Sequence, residues 1–71
     1  MMQLTEIEKD VVRKHIQYAG MKEEARLNKI GMLFMMPTSE IDRIIKYAIS
    51  YGLYAEQIAL MKKENKSYKR R

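Results

Sequence analysis

Apolar residues recur with helical spacing along four segments of the chain. The clearest pattern is the stripe of the third segment, formed by Ile41, Ile44, Ile45, Ala48, Ile49 and Gly52. Spacings of three and four residues place side chains on one face of an α-helix. A first helix is predicted to begin at Thr5, three residues before Glu8 in a capping-box pattern, and to stop at Gly20.

The second segment, about residues 22–36, changes from polar to apolar along its length. Its first half is polar, whereas residues 30–36 are apolar on every side of the helix. Such a helix end must be buried on all sides or covered by a partner. Pro37 is predicted to end this helix, because proline disfavours the α region for the preceding residue. The third helix is then capped by Thr38 or Ser39.

Together the segments predict an all-α fold, a compact bundle of three to four short helices arranged as two αα-hairpins. A fourth helix is expected from about Tyr54 to Lys63 or a little beyond. Residues 1–63 would thus form a single helical domain, and residues 64–71 a basic, flexible tail. The predicted core is Ile7, Val11, Val12, Ile16, Ile30, Leu33, Phe34, Ile41, Ile44, Ile45, Ala48, Ile49, Leu53 and Ile58.

Length and charge bear on the expected partners. The chain has 71 residues and no cysteine, and a domain of this size buries only about 60% of its unfolded surface. Association with itself or with a partner protein is therefore expected. The net charge of +5 comes entirely from residues 62–71, which contain six basic residues and one acidic residue. Contact with nucleic acid is a possible use of this tail alone, because residues 1–61 sum to zero.

The apolar run and a group of tyrosines are the candidate protein-binding residues. Methionine adapts to varied partner surfaces, and tyrosine combines rigid contact area with a polar tip. The alternative is that the methionines fill the core and the tyrosines form a half-buried boundary. The candidate interface residues are Met32, Leu33, Phe34, Met35, Met36, Tyr47, Tyr51 and Tyr54.

Residues 44–61 resemble the helix-turn-helix of DNA-binding proteins. The matching positions are Ala48, Gly52, Leu53, Ile58 and Met61. In that motif a small residue lets the helices approach, glycine permits the turn, and later apolar residues seat the second helix. The resemblance implies a recognition helix at about residues 54–60. Bases are usually read by Arg, Lys, Asn or Gln, and of these only Gln57 lies nearby.

Two other interpretations apply to the same residues. An ordinary αα-hairpin also places small residues at helix crossings and glycine at turns. Residues 52–61 further resemble the turn and second helix of a tetratricopeptide repeat, although a repeat array needs about three copies. The nucleic-acid alternative would use Tyr54, Gln57, Lys62, Lys63, Lys66, Lys69, Arg70 and Arg71.

No pattern of catalytic or metal-binding residues is present in the sequence. His15, the only histidine, is interpreted as a boundary residue, and it has no cysteine or second histidine with which to hold a metal. The sequence shows no nucleophile motif and no phosphate-binding loop, and its first residues, with neither a basic nor an apolar region, do not predict a secretory signal. The apolar run at residues 30–36 is far shorter than a membrane span.

These observations predict a cytoplasmic, non-enzymatic protein without metal or cofactor. It would be a protein-binding regulator, adaptor or inhibitor of the kind found among small phage and mobile-element proteins. The alternative is a DNA- or RNA-binding transcriptional regulator that uses residues 44–61 and the basic tail.

Overall fold

The structure is a computed structural model that describes residues 3–69, with side chains described through residue 64. Its four helices are α1 (Glu6–Gln17), α2 (Glu23–Phe34), α3 (Thr38–Ser50) and α4 (Leu53–Lys69). The described residues contain no strand. The predicted all-α bundle is therefore confirmed, with four helices.

The helices α1 and α3 form the centre of the bundle. They contact each other, and each also contacts both α2 and α4. Within the described residues, α2 and α4 have no close backbone contact with one another. Because α1 packs on α2 and α3 packs on α4, successive helices form the two expected hairpins. Among the described residues, the outer helices α2 and α4 therefore have close backbone contacts only with α1 and α3.

Eight buried apolar residues form the core, and seven of them were predicted. They are Leu4, Val11, Val12, Ile30, Ile41, Ile44, Ile45 and Ala48. Leu4 was missed because it precedes the helix whose periodicity was analysed. Ile16, Phe34 and Leu53 are half-buried against this core.

Three predicted core residues lie instead at the surface. Ile7, Leu33 and Ile49 are 53%, 52% and 58% exposed, respectively. Each lies at the edge of its helix's apolar stripe. In a small bundle only part of the circumference of a helix is covered by its neighbours, so residues at the edge of a wide stripe remain in contact with water.

The capping box at the start of α1 is formed as predicted. The Glu8 backbone N–H donates to Thr5 Oγ1 at 3.1 Å, and the Thr5 backbone N–H donates to Glu8 Oε1 at 2.9 Å. Two N–H groups that lack a partner within the helix are thereby satisfied.

We expect Thr5→Ala to lower the free energy of unfolding by about 1 kcal/mol, because it removes the Oγ1 atom that accepts the hydrogen bond from the Glu8 backbone N–H. Urea unfolding followed by circular dichroism measures the change. Ser39→Ala is the matched control, since α3 has Pro37 at its N-cap and no capping hydrogen bond from a side chain. An equal loss in both variants would contradict the role of the cap.

Other helix ends differ from the prediction. The helix α1 ends at Gln17, before Gly20. The helix α2 ends at Phe34, because Met35 adopts a left-handed conformation with φ 56° and stops the helix before Pro37 can do so. Pro37 is the N-cap of α3, so Thr38 and Ser39 lie inside that helix.

The helix α4 extends beyond its predicted end near Lys63 and reaches Lys69. Lysine has good helix propensity, and an ion pair between Arg13 and Glu64 fastens α4 to α1 just after Lys63. The flexibility of residues 64–71 stays a prediction. Arg70 and Arg71 lie outside the described residues.

Candidate functional site

The carboxyl-terminal end of α2 carries apolar side chains that face solvent. Met32 is 79% exposed, Leu33 is 52% exposed and Met35 is 91% exposed. Phe34 and Met36, between and after them, are half-buried against the core. We call Met32, Leu33 and Met35 the α2 apolar surface. The predicted run of apolar interface residues is thus divided between the core edge and the surface.

The turn that presents this surface depends on Gly31. The chain folds back so closely that a Cβ atom on Gly31 would lie 2.7 Å from the backbone oxygen of Met36. The backbone N–H groups of Met35 and Met36 both donate to the Gly31 carbonyl oxygen. Left-handed backbone at a helix end usually falls on glycine, so Met35 holds an unfavourable conformation there. In this conformation its side chain extends into solvent.

A shallow groove of about 580 Å³ borders the α2 apolar surface; it is lined by Ala25, Asn28, Lys29, Met32 and Leu33. Lys29 also lies over the ring of Tyr18, with Nζ 5.4 Å from the ring centre. This cation–π contact holds a positive charge beside the groove. The groove therefore combines apolar walls with one neighbouring cation.

The three candidate tyrosines belong to two different groups. Tyr47, on α3, and Tyr51, its C-cap, form a pair with ring centres 5.0 Å apart. Tyr51 is 51% exposed, and Tyr47 packs against the core. Tyr54 is half-buried and belongs to a polar cluster beneath α4. The exposed ring of Tyr51 is thus the one that is open to a partner.

His15 is buried, so the boundary position predicted for it is wrong. It is 5% exposed and lies between α1, α2 and α4. Its Nδ1 is 2.7 Å from the Tyr54 hydroxyl oxygen, and its Nε2 is 3.1 Å from the nearer carboxylate oxygen of Glu23. Arg26 donates to Glu23 at 2.9 Å and to the backbone oxygen of His15 at 2.6 Å. We call His15, Glu23, Arg26 and Tyr54 the His15 cluster.

The protonation pattern of the His15 cluster follows from its partners. A carboxylate only accepts hydrogen bonds, so neutral His15 carries its proton on Nε2, and Nδ1 accepts from the Tyr54 hydroxyl. Tyrosine is protonated at neutral pH, so this hydroxyl can donate, and burial raises the pKa of Tyr54 further above its usual value. The cluster thereby links α2 to α4 through α1. The spacing of His15 from Val11 and Val12 could have indicated its burial, because all three share one helix face.

Gln57 is also buried, at 5% exposure. Its side-chain oxygen accepts a hydrogen bond from Arg13 Nε at 2.9 Å. The two terminal guanidinium nitrogens of Arg13 each lie 3.3 Å from a carboxylate oxygen of Glu64. Arg13 therefore ties α1 to α4 at two points. The sequence carries no local signal for this arrangement, because the residues are far apart along the chain.

The residues of the nucleic-acid alternative occupy different environments. Tyr54 and Gln57 are engaged inside the domain, whereas base reading requires side chains that reach outward into a groove. Lys62 and Lys63 are exposed. Lys66 and Lys69 lie on the α4 backbone with side chains outside the described part, and Arg70 and Arg71 lie wholly outside it. The use of these residues in nucleic-acid binding stays a prediction.

Within the described residues, no three metal-ligating side chains lie together where they could hold an ion, and no helix has the length and apolar character of a membrane span. No protein family, curated protein or solved structure matches this chain.

Proposed function

We propose that this protein is a small, non-enzymatic binding module that docks on a partner protein through the α2 apolar surface, as an adaptor, regulator or inhibitor. The observation that carries the proposal is the exposure of three apolar side chains, Met32, Leu33 and Met35, within four residues. Single exposed apolar side chains are ordinary, but a contiguous group marks an interaction site.

The backbone of Met35 supports this proposal independently. A left-handed conformation costs a residue other than glycine about 1–2 kcal/mol. Met35 adopts it at φ 56° while its side chain is 91% exposed, so the side chain gains little from packing within the domain. Backbone strain of this kind is common at binding sites, where contacts with a partner compensate for it.

The size and chemistry of the surface indicate the kind of partner. The surface area of its three side chains is less than the roughly 800 Å² that each partner buries in a standard interface. The α2 apolar surface therefore suits the centre of a transient contact better than an obligate dimer interface. Methionines adapt to an apolar helix or loop laid across them. Lys29 at the groove edge favours a partner with a carboxylate beside its apolar residues.

The double variant Met32→Gln/Met35→Gln is expected to weaken partner binding at least tenfold, because it removes the exposed anchor side chains. The matched control is Ile7→Gln/Ile49→Gln, which changes two exposed apolar residues on α1 and α3. The partner is identified by capture from the native cell with nuclease treatment, then purified, and its affinity for the wild type and both double variants is measured by calorimetry.

The outcome is decided by comparison with the control. Both variants should keep the wild-type unfolding midpoint, because all four residues are more than half exposed. An equal loss of affinity in the control, or no loss in the α2 variant, would contradict the proposal. Light scattering that shows a dimer dissociated by the α2 variant would assign the surface to self-association instead.

A further inference from the structure

We infer that the end of α4 is a second binding surface, which contacts the phosphate backbone of nucleic acid without reading its sequence. This inference goes beyond the proposed docking function, because it uses a different helix and a different chemistry. It rests on the register of α4, the position of Glu64 and the engagement of Tyr54 and Gln57 inside the domain.

The register of α4 brings its lysines together. Residues three, four and seven apart lie on one face of a helix, and α4 is helical as far as Lys69. The positions of Lys62, Lys63, Lys66 and Lys69 therefore lie on one side of the helix. We call these four residues the α4 lysine face. Lys62 and Lys63 are exposed, and neither forms an ion pair with another residue whose side chain is described.

The acidic residue within residues 62–71 is paired with a residue of α1. Glu64 is the only acid among residues 62–71. Its carboxylate oxygens lie 3.3 Å from the two terminal nitrogens of Arg13, on the side of α4 that faces α1. The carboxylate is thus compensated by α1 and does not offset the lysines. Four cations over about two helical turns suit a run of phosphates, which carry a regular negative charge.

The composition of the α4 end favours nucleic acid over a membrane surface. A helix that lies in a membrane interface needs a substantial apolar face opposite its cations. Residues 62–71 contain no apolar side chain except Tyr68, and Glu64 lies away from the lysines. Since Tyr54 and Gln57 are engaged with His15 and Arg13, the α4 end provides phosphate contacts without base contacts.

The test uses the full chain with two labelled DNA duplexes of unrelated sequence, and binding is followed by fluorescence anisotropy over a range of salt. About four phosphate contacts predict a roughly 100-fold loss of affinity between 50 and 200 mM salt. Lys62→Gln/Lys63→Gln should reduce that loss to about tenfold and weaken binding equally for both duplexes. Lys22→Gln/Lys46→Gln removes the same formal charge from exposed positions elsewhere, where Lys46 is paired with Asp42 at 3.1 Å, and it should retain the wild-type salt dependence.

Several results would overturn the inference. One is an equal effect of both lysine pairs, which would indicate only general charge attraction. Another is a 100-fold preference for one duplex, which would require base reading. Binding to vesicles of anionic phospholipid without binding to either duplex would assign the face to membranes. The lysine variants leave the α2 apolar surface intact, so a failure here is distinct from failure of the docking proposal.

Discussion

Replacing His15 with alanine is expected to lower the free energy of unfolding by about 2–4 kcal/mol. His15 is 5% exposed, so removal of its imidazole opens a space between α1, α2 and α4. It also deprives the half-buried Tyr54 hydroxyl of its 2.7 Å partner and leaves Glu23 with Arg26 alone. A chain of this size has a stability of roughly 4–10 kcal/mol, so this is a large fraction of the whole. Urea unfolding followed by circular dichroism gives the value.

Tyr54→Phe is the matched control for this variant. It removes one hydroxyl and keeps the ring, so the expected loss is about 0.5–1.5 kcal/mol. In the double variant the two effects should not add, because both changes remove the same hydrogen bond. If His15→Ala costs less than Tyr54→Phe, the His15 cluster is not what holds α2 and α4 in place.

The second large effect is expected at Gly31. Alanine has a better helix propensity than glycine by about 1 kcal/mol, so helix formation alone would predict that Gly31→Ala stabilises the protein. We expect instead a destabilisation of about 1–3 kcal/mol, because the new Cβ would lie 2.7 Å from the backbone oxygen of Met36. The turn at Met35 would have to move. The measurement is again chemical unfolding, with the near-ultraviolet spectrum as a check on tertiary packing.

Gly20 offers the control for this substitution. A Cβ at Gly20 meets no other atom within 4 Å, so Gly20→Ala should change the stability little. A gain in stability for Gly31→Ala would show that the chain at Met36 lies farther from α2 than the structure places it. A loss accompanied by weaker partner binding would connect this turn to the α2 apolar surface.

The helices and most of the core could be predicted from local pattern. The capping box at Thr5 involves residues three apart, and the stripe of α3 repeats every turn, so both are visible within a short window. The end of α2 and the start of α3 were predicted less accurately. The prediction relied on the conformational bias that Pro37 imposes on the residue before it, whereas α2 ends two residues earlier, at Phe34, because Met35 is left-handed. No residue-type preference indicates methionine for that conformation.

The candidate surfaces were predicted only in part. The sequence marked residues 30–36 as apolar all round and left open whether they lie in the core or at an interface. The structure divides them: Ile30 and Gly31 are buried, whereas Met32 and Met35 are exposed. This division depends on α1 and α3 covering one side of α2 while its other side has no neighbour among the described residues.

By itself, the sequence determined the order of the helices, the buried stripes of α1 and α3, and the concentration of positive charge at the chain end, and it limited the number of helices to three or four. Only the tertiary structure decided which edge of each stripe meets water and which polar residues become buried. His15 meets Tyr54 across 39 residues, and Arg13 meets Gln57 across 44. Helix propensity and periodicity act within a turn or two, whereas these contacts require packed helices to bring distant residues together.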